Sequence, residues 1–562
     1  MKEQQSTLRW LSAISGTDRV WVAVLVLVQA ILGVTSVLYA FLLRSLIDQA
    51  VAGNRNGLIR SALLLVGLVL TQLLLRAVSR FLKEYSAADL ENRLKKRLFA
   101  QLLRKDYAAV TALHSGEWMN RLTNDTAVVA RSATSILPNL AGLLVRLVGA
   151  MTALVVLEPR FAVVLIPGGL LVMLLTYAFR RVLKALHKRI QETDGRLRAF
   201  LQERLGSQLV LRSFGVEKQS EELAQELMQA HMDARIRRNH FSNFCNLGFG
   251  LIIQGATAGS AIYCAVHLMG GTLSYGTMMA VLQLVGQIQS PFANISGIVP
   301  EFYGMMASAE RLREAESFPE YGGEAREERQ IQRFYEEELV SLGLDKACFT
   351  YQPPVREEGE RPMPVVLDGL SLQIRKGEFA AFTGHSGSGK STVLKLLMSI
   401  YPLDSGESYL ETHEGRRKLD ASWRGLFAYV PQGNDLISGS IREIIAFGDP
   451  EKMKREDELW KALRIACAED FVASLDKGLD SELGESGSGL SEGQMQRIAI
   501  ARAVFSARPV LLLDESTSSL DGETEKRVLE NLRSMTDRTV LIVTHRPAAL
   551  AICDKQIELA GE

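Results

Sequence analysis

This sequence of 562 residues has few cysteines, few aromatic side chains and no excess of charge of one sign. The 5 cysteines are scattered, odd in number and without ligand spacing, which excludes a disulfide framework and a zinc site. Lysine plus arginine and aspartate plus glutamate number 64 each, so the overall charge gives no reason to expect nucleic acid as a partner. A chain of this length predicts at least two domains, because single hydrophobic cores stop growing well below it.

Long apolar runs are abundant, but only as far as about residue 305. The first 19 residues are too polar for a cleavable signal peptide. A helix of about 20 residues spans the hydrocarbon core of a bilayer. The stretches that qualify are Val20 to Leu43, Leu58 to Ala77, Ile136 to Leu157, Phe161 to Phe179, Cys245 to Met269 and Tyr275 to Met306. Residues 1–310 are therefore predicted to form an α-helical membrane domain with six transmembrane helices.

The basic residues predict how this domain is oriented. They concentrate in the connections between spans two and three and between spans four and five, whereas the other connections are short. The positive-inside rule then predicts that both long connections and both termini are cytoplasmic, in a multi-pass protein of the plasma or inner membrane. Apolar residues at helical spacing, as in LKKRLFAQLLRKD, further predict that spans two to five continue as helices beyond the bilayer.

Two polar features lie within the predicted spans. Gln283, Gln287, Ser290 and Asn294 recur at intervals that place them on one face of a helix. This face either forms hydrogen bonds between helices or lines a water-filled cavity. Arg146, near the middle of span three, faces protein or water, either in a structural contact or at the cargo. Arg146, Gln283, Gln287 and Asn294 are therefore the candidate cavity residues.

The remainder of the chain has a different composition. Residues 311–337 are charged and irregular, which is typical of a linker. In residues 338–562, short β-like runs alternate with helical patterns, which predicts an α/β domain with a largely parallel central sheet. The runs are VVLDGLSLQI, EFAAFTG, GLFAYVPQ, PVLLLDE and TVLIVTH.

EFAAFTGHSGSGKSTVLKLLM carries the strongest motif, a phosphate-binding loop between a strand and a helix. Its glycines let successive backbone N–H groups point into one concavity, and the following helix adds its positive end. Lys390 supplies a charge for the β and γ phosphates, and the Ser391 hydroxyl can bind Mg²⁺. The predicted ATP-binding loop residues are Gly384, His385, Ser386, Gly387, Ser388, Gly389, Lys390, Ser391 and Thr392.

Two further strands end in residues suited to the same chemistry. PVLLLDE ends in Asp514 and Glu515, at the strand end where open α/β sheets bind ligands. Asp514 would hold the magnesium ion, and Glu515 would polarise the attacking water as general base. TVLIVTH ends in His545, a candidate contact for the γ phosphate.

In this order, the pieces resemble the ATP-binding cassette (ABC) transporters, specifically half-transporters of the exporter fold. SGEWMNRLTNDT, LVLRSFGVEKQ and ASAERL resemble sequences of the exporters' membrane half. The resemblance implies that Tyr351 stacks on adenine and that residues Gly384 to Thr392 form the Walker A loop. It implies that Gln432 contacts magnesium together with Ser391 and Asp514. It also implies that Glu515, His545 and Gln432 are catalytic, and that Asp521 lies in the D-loop. Ser491, Glu492, Gly493 and Gln494 occupy the signature, which contacts ATP on the partner chain.

The sequence departs from the family pattern in three places. Glu492 is a carboxylate where the signature has glycine. Ser491 and Gln494 have the spacing of a helix capping box, so Glu492 is predicted to lie in the first helical turn, where a carboxylate suits the helix dipole. The insertion PPVREEGERP after Tyr351 could displace the adenine contact. The sequence ends at Glu562, soon after the last strand, where the family usually continues with helices.

The function that these observations predict is ATP-driven transport by alternating access. We expect a dimer of half-transporters, with a homodimer favoured over a heterodimer, and ATP and Mg²⁺ as cofactors. Export of a lipid, peptide or drug-like cargo is the first expectation. Uptake of a siderophore-like cargo and an ATP-gated channel or regulator with little turnover are the alternatives.

Overall fold

The computed structural model describes the backbone of residues 2–14, 16, 18–113, 115–320, 323, 326–351, 364–385, 387–433, 436–484 and 489–559. Side chains are described there except at residues 2–5, 18, 161–178, 180–181, 249, 253, 289–297 and 299. The chain divides into two compact units. Residues 1–96 and 120–313 form one, which we call the helical unit, and residues 97–119 and 314–562 form the other, the α/β unit.

Long helices make up the helical unit, as the apolar runs predict. The helices from the N-terminus to the linker are α1 (Lys2–Ile14), α2 (Asp18–Val51), α3 (Arg55–Leu102), α4 (Tyr107–Thr111), α5 (Ser115–Asn120), α6 (Thr126–Leu157), α7 (Arg160–Gly206), α8 (Gln208–Phe214), α9 (Glu217–Met269) and α10 (Tyr275–Ser317). Each of the six predicted spans falls within one long helix. Helices α3, α7 and α9 have 48, 47 and 53 residues, about twice the length that crosses a bilayer. The prediction that helices continue beyond the spans is therefore confirmed.

Hydropathy supports a membrane location for the helical unit. Among the described residues, four helical segments are long and apolar enough to span: Arg19–Val51, Arg55–Leu102, Ser115–Leu157 and Glu217–Met269. The other two predicted spans lie on α7 and α10, where many side chains fall outside the described residues.

Small residues let α2 and α6 pack closely. A Cβ atom on Gly142 would lie 3.2 Å from Cβ of Gln29, and one on Gly149 would lie 3.0 Å from Val37. A Cβ atom on Gly33 of α2 would likewise lie 3.0 Å from the side chain of Val145 on α6. Helices in a bilayer associate through close packing of this kind, because lipid gives them no hydrophobic driving force.

A buried ion pair joins the start of α6 to the end of α10. Asp125 is fully buried, accepts a hydrogen bond from Ser308 at 2.8 Å, and pairs with Arg311, whose Nε lies 2.8 Å from Oδ2. Arg121 donates to the Arg311 carbonyl at 3.0 Å. These residues belong to the sequences SGEWMNRLTNDT and ASAERL, so the ion pair gives both motifs a structural role.

The α/β unit contains two main sheets. Its strands are β1 (Leu339–Thr350), β2 (Val365–Arg375), β3 (Phe379–Thr383), β4 (Ser405–Thr412), β5 (Gly415–Lys418), β6 (Phe427–Val430), β7 (Gly439–Ser440), β8 (Glu482–Leu483), β9 (Val510–Asp514), β10 (Thr539–Val543) and β11 (Lys555–Glu558). The central sheet has the order β11-β3-β10-β9-β6, and all its pairings are parallel. Strands β9 and β10 are buried throughout, in keeping with helices on both faces of a parallel sheet.

One strand prediction was incomplete. VVLDGLSLQI forms β2, which belongs to a separate antiparallel sheet of order β2-β1-β4-β5. Alternating burial along β2 is typical of a strand with one exposed face, whereas β9 is buried on both faces. The sequence pattern identified the strand but gave no sign of its pairing direction.

The helices of the α/β unit place the motifs at the edges of the parallel sheet. Besides α4, they are α11 (Glu328–Arg333), α12 (Lys390–Leu397), α13 (Ile441–Ala446), α14 (Glu456–Ile465), α15 (Glu469–Ala473), α16 (Glu492–Phe505), α17 (Gly522–Arg533) and α18 (Pro547–Leu550). Helix α12 follows β3 and begins with Lys390, and α16 begins just after Ser491.

Candidate functional site

The phosphate-binding loop runs from β3 into α12. Gly384, Gly387 and Gly389 have φ angles of 134°, 86° and 84°, a region that favours glycine, so the loop needs this residue type at these places. Lys390 is 6% exposed, and its Nζ donates to the carbonyls of Gly384 at 2.8 Å and His385 at 2.7 Å. The loop backbone therefore surrounds the Lys390 side chain and keeps its charge in the concavity of the loop.

Ser388 supports phosphate as the ligand of this loop. Its side chain is buried, and its Oγ has no hydrogen-bond partner among the described residues. A buried hydroxyl without a partner is unfavourable unless a ligand completes it. The backbone of Ser386, another predicted loop residue, lies outside the described residues.

The end of β9 faces the same loop. Ser391 Oγ donates to Asp514 Oδ1 at 2.8 Å, and Asp514 is 2% exposed. A serine hydroxyl and a carboxylate are the hard oxygen donors that Mg²⁺ prefers. Tyr429 donates to the other carboxylate oxygen at 3.0 Å, a positioning contact that the sequence analysis missed. Its place on β6, beside β9, could have suggested it.

Glu515 follows directly and is held in an uncommon conformation. Its φ is 49°, in the left-handed region that a glutamate seldom adopts, and its N–H donates to the Val543 carbonyl at 3.2 Å. The Gln432 side-chain amide donates to Glu515 Oε2 at 2.7 Å. The structure thus brings two predicted catalytic residues into contact, and the hydrogen bond from Gln432 positions the Glu515 carboxylate.

Tyr351 lies beside the phosphate-binding loop despite the insertion after it. Its hydroxyl is 2.9 Å from Thr392 Oγ1. The insertion PPVREEGERP lies outside the described residues.

Aromatic rings continue from Tyr351 to the tip of the first long connection. Tyr351 packs edge-on against Tyr401 at 5.4 Å between ring centroids, and Tyr401 packs against Tyr107 of α4 at 5.7 Å. Ala108, also on α4, packs against the same hydrophobic core. Burial raises the pKa of Tyr401 to about 12, so this hydroxyl stays neutral at physiological pH. Tyr107, in the first long connection, is thus linked through the ring of Tyr401 to Tyr351, the predicted adenine contact.

The signature begins α16, and the predicted capping box is confirmed. Ser491 Oγ accepts from the Gln494 N–H at 3.3 Å, and Gln494 Oε1 accepts from the Ser491 N–H at 2.8 Å. The hydroxyl proton of Ser491 remains available to donate, since the cap uses the oxygen as an acceptor. Glu492 is exposed, in the first turn of the helix.

Contacts with the D-loop explain the glycine of the signature. A Cβ atom on Gly493 would lie 2.9 Å from the Ser519 carbonyl oxygen. Gln496 on α16, which the sequence analysis did not identify, donates to Ser518 and Ser519 at 3.2 Å. Asp521 caps α17, and the hydrogen bond that it accepts from the Thr524 N–H lowers its pKa. The signature and the D-loop are therefore one packed element.

His545 is exposed after β10, and the next residue fixes the loop around it. Arg546 Nη1 donates to the Leu520 carbonyl at 2.9 Å and to Glu525 at 2.8 Å. The turn that carries His545 is thereby attached to the D-loop.

Among the described candidate cavity residues of the helical unit, Arg146 lies in a different environment from Gln283 and Gln287. Arg146 lines an open cavity of about 440 Å³. Gln287 is buried and donates to the Ser36 carbonyl of α2 at 2.8 Å, which is a contact between helices. Gln283 is exposed, and the side chain of Asn294 lies outside the described residues. The cavity at Arg146 is lined instead by residues that the sequence analysis missed: Gln29, Asn139, Gly142, Leu143, Ile298 and Glu301.

Comparison with known proteins agrees with this architecture. Residues 22–292 match the ABC transporter transmembrane region, and residues 367–518 match the ABC transporter family. The chain is 30% identical to an ATP-dependent lipid A-core flippase of Pseudomonas fluorescens, over 82% of this chain and 74% of that protein.

The chain belongs to the ABC transporter family.

Two further similarities refine this assignment. A mouse mitochondrial protein, ATP-binding cassette sub-family B member 10, is 32% identical over 83% of this chain, which spans 64% of that relative's length. The fold matches a bacterial Atm1-family ABC exporter solved with ATP bound, with a TM-score of 0.77, 22% identity and coverage of 97% of this chain and 94% of that one. The protein is thus an ATP-driven membrane transporter with the fold of an exporter half-transporter, and the part of its α/β unit that carries the parallel sheet is the ATP-binding domain.

Proposed function

We propose that the protein exports a lipid, peptide or drug-like cargo as a dimer of half-transporters, by alternating access. The contact between Gln432 and Glu515, beside the Ser391–Asp514 pair, carries this proposal. The four residues meet at the carboxyl end of the parallel sheet, where such sheets bind ligands. Uptake of a siderophore-like cargo is the less favoured direction.

The roles of the site residues follow from phosphoryl transfer, which needs positioning and neutralisation of charge. Lys390 and the loop N–H groups hold the β and γ phosphates, and Tyr351 stacks on adenine. Bound Mg²⁺ supplies positive charge at the γ phosphate, with Ser391, Asp514 and Gln432 as the residues that hold it. Glu515 accepts a proton from the attacking water, and His545 contacts the γ phosphate.

A second chain completes the ATP site. Its Ser491 hydroxyl and the start of its α16 supply hydrogen-bond donors for the γ phosphate, and its Asp521 lies at the same interface. The capped start of α16 supports this role, because a helix N-terminus with free N–H groups attracts anions. This chain keeps every catalytic position, which favours a homodimer over a heterodimer.

The long connections relay motion from the α/β units to the membrane. Support comes from the ring contacts that join α4 to Tyr401 and Tyr351. Basic residues in these connections favour a cytoplasmic position for them, for both termini and for the ATP-binding domain, in a plasma or inner membrane.

The test is ATP hydrolysis by the purified protein in lipid vesicles, with and without candidate cargoes. The proposal expects hydrolysis that cargo stimulates and ATP-dependent movement of cargo into inside-out vesicles. ATP-dependent ion conductance with little hydrolysis would instead indicate a channel or regulator. Loss of cargo from preloaded inside-out vesicles would indicate uptake.

A further inference from the structure

The cavity at Arg146 carries both a cationic and an anionic side chain. Arg146 of α6 and Glu301 of α10 line the same space of about 440 Å³, and no ion pair joins them among the described residues. Opposite charges inside a membrane protein normally pair with one another or face a functional site. Here each charge faces the cavity separately.

Both charged side chains keep hydrogen-bonding groups without a partner among the described residues. The Nε of Arg146 is buried and has no hydrogen-bond partner among the described residues. Glu301 accepts a hydrogen bond from Ser135 through one carboxylate oxygen, Oε1. A guanidinium with an unmet donor attracts an anion, and a carboxylate oriented by one hydroxyl keeps acceptor sites for a cation.

Two amide side chains also line the cavity, beside the apolar Leu143 and Ile298. The amide of Gln29 donates to Ser79 at 3.2 Å, which orients its oxygen, and Asn139 adds a second amide. Gly142 leaves room for Gln29, since a Cβ atom there would lie 3.3 Å from the Gln29 oxygen. A volume of this size suits a head group or small metabolite, at the lower end of the usual range for ligand sites.

We propose that this cavity binds a zwitterionic group of the cargo, with its anion on Arg146 and its cation on Glu301. This rests on the proposed transport function and defines the chemical class of its cargo. It replaces the polar stripe of Gln283 and Gln287 as the site of recognition. The group belongs to a soluble metabolite or to the head of a lipid.

The test measures binding to the purified full-length protein in detergent without nucleotide, by calorimetry. Glycerophosphoethanolamine is the zwitterionic probe, glycerol 3-phosphate the anion and ethanolamine the cation. The zwitterion is expected to bind about tenfold more tightly than either, because a hydrogen bond to a charged group contributes at least about that factor. Equal affinities for the zwitterion and either single charge, or no binding of any probe, would overturn the proposal.

Variants assign each end of the probe. Arg146→Gln is expected to reduce zwitterion affinity to that of ethanolamine, and Glu301→Gln to that of glycerol 3-phosphate. Arg146→Lys should retain the preference, which separates loss of charge from loss of folding. Arg60→Gln and Glu84→Gln change exposed residues outside the cavity and should leave all three affinities unchanged. Unchanged selectivity in both cavity variants would contradict the assignment.

Vesicles then distinguish the two sources of the group. A lipid source predicts that phosphatidylethanolamine vesicles weaken binding of the soluble zwitterion relative to phosphatidylglycerol vesicles, whereas a soluble source predicts equal binding in both. Because calorimetry needs no hydrolysis, a wild-type protein without ATPase activity would contradict the transport proposal and leave this result interpretable.

Discussion

The two units of the chain differ in how far apart in sequence their candidate site residues lie. In the α/β unit, Lys390, Asp514 and Glu515 stand at strand or helix ends, and short motifs in the sequence identify them. In the helical unit, Arg146 and Glu301 lie 155 positions apart on separate helices, and only packing brings them to one cavity. Chemistry at the end of one element is visible locally, whereas a site between helices depends on how those helices pack.

Replacing Glu515, the proposed general base of the α/β unit, is expected to have the largest effect. Glu515→Gln should reduce ATP hydrolysis by about a thousandfold, within the range for loss of general acid–base catalysis, while ATP still binds. Steady-state hydrolysis and nucleotide binding would be measured on the same reconstituted protein. Glu414→Gln removes an exposed carboxylate of the same unit and serves as the control. Normal hydrolysis by Glu515→Gln would show that another group activates the water.

The largest single effect expected in the helical unit is on stability. Asp125→Ala removes the buried partner of Arg311 and should lower the free energy of unfolding by about 2 kcal/mol. This is less than the usual cost of breaking a fully buried ion pair, because the Arg311 side chain is 40% exposed and water screens its charge. Thermal unfolding in detergent would measure the change. Asp89→Ala, which breaks an exposed pair with Arg93, is expected to change it by less than about 0.5 kcal/mol. Equal shifts in the two variants would contradict the structural role of Asp125.

Tyr401→Ala tests communication within the α/β unit. It removes the ring between Tyr107 and Tyr351 and should reduce cargo stimulation of hydrolysis by about fivefold, a typical coupling between sites. Tyr401→Phe keeps the ring and should retain stimulation. If both variants behave like the wild type, the ring contacts do not transmit the signal.

Glu492→Gly is expected to have the smallest effect. Glu492 is exposed in the first turn of α16, and the capping groups of Ser491 and Gln494 do not depend on it. The hydrolysis rate should change by about twofold, through lost repulsion of the γ phosphate and a weaker helix dipole contact. A change of several hundredfold would mean that this carboxylate points at the nucleotide.

Local patterns explain why some features could be predicted and others could not. The phosphate loop, the capping box at Ser491 and the long helices each depend on neighbouring residues, and all three are present in the structure. The antiparallel pairing of β2 depends on strands distant in sequence, and the periodicity of the strand gives no information about it. Gln287 shows the same limit, because its helical spacing fitted both a cavity and the contact with α2 that it makes.

The proposal that two chains share each ATP site is tested most directly by pairing two differently tagged copies of the protein. Both copies carry Glu515→Gln, so that bound ATP is retained. In the first pair, one copy also carries Lys390→Ala and the other Ser491→Arg. In the second pair, one copy carries both changes and the other neither. If each site combines the loop of one chain with the signature of its partner, the first pair keeps one intact site and retains ATP, while the second pair retains none. Retention by the second pair alone would show that each site is complete within one chain, and would contradict the account.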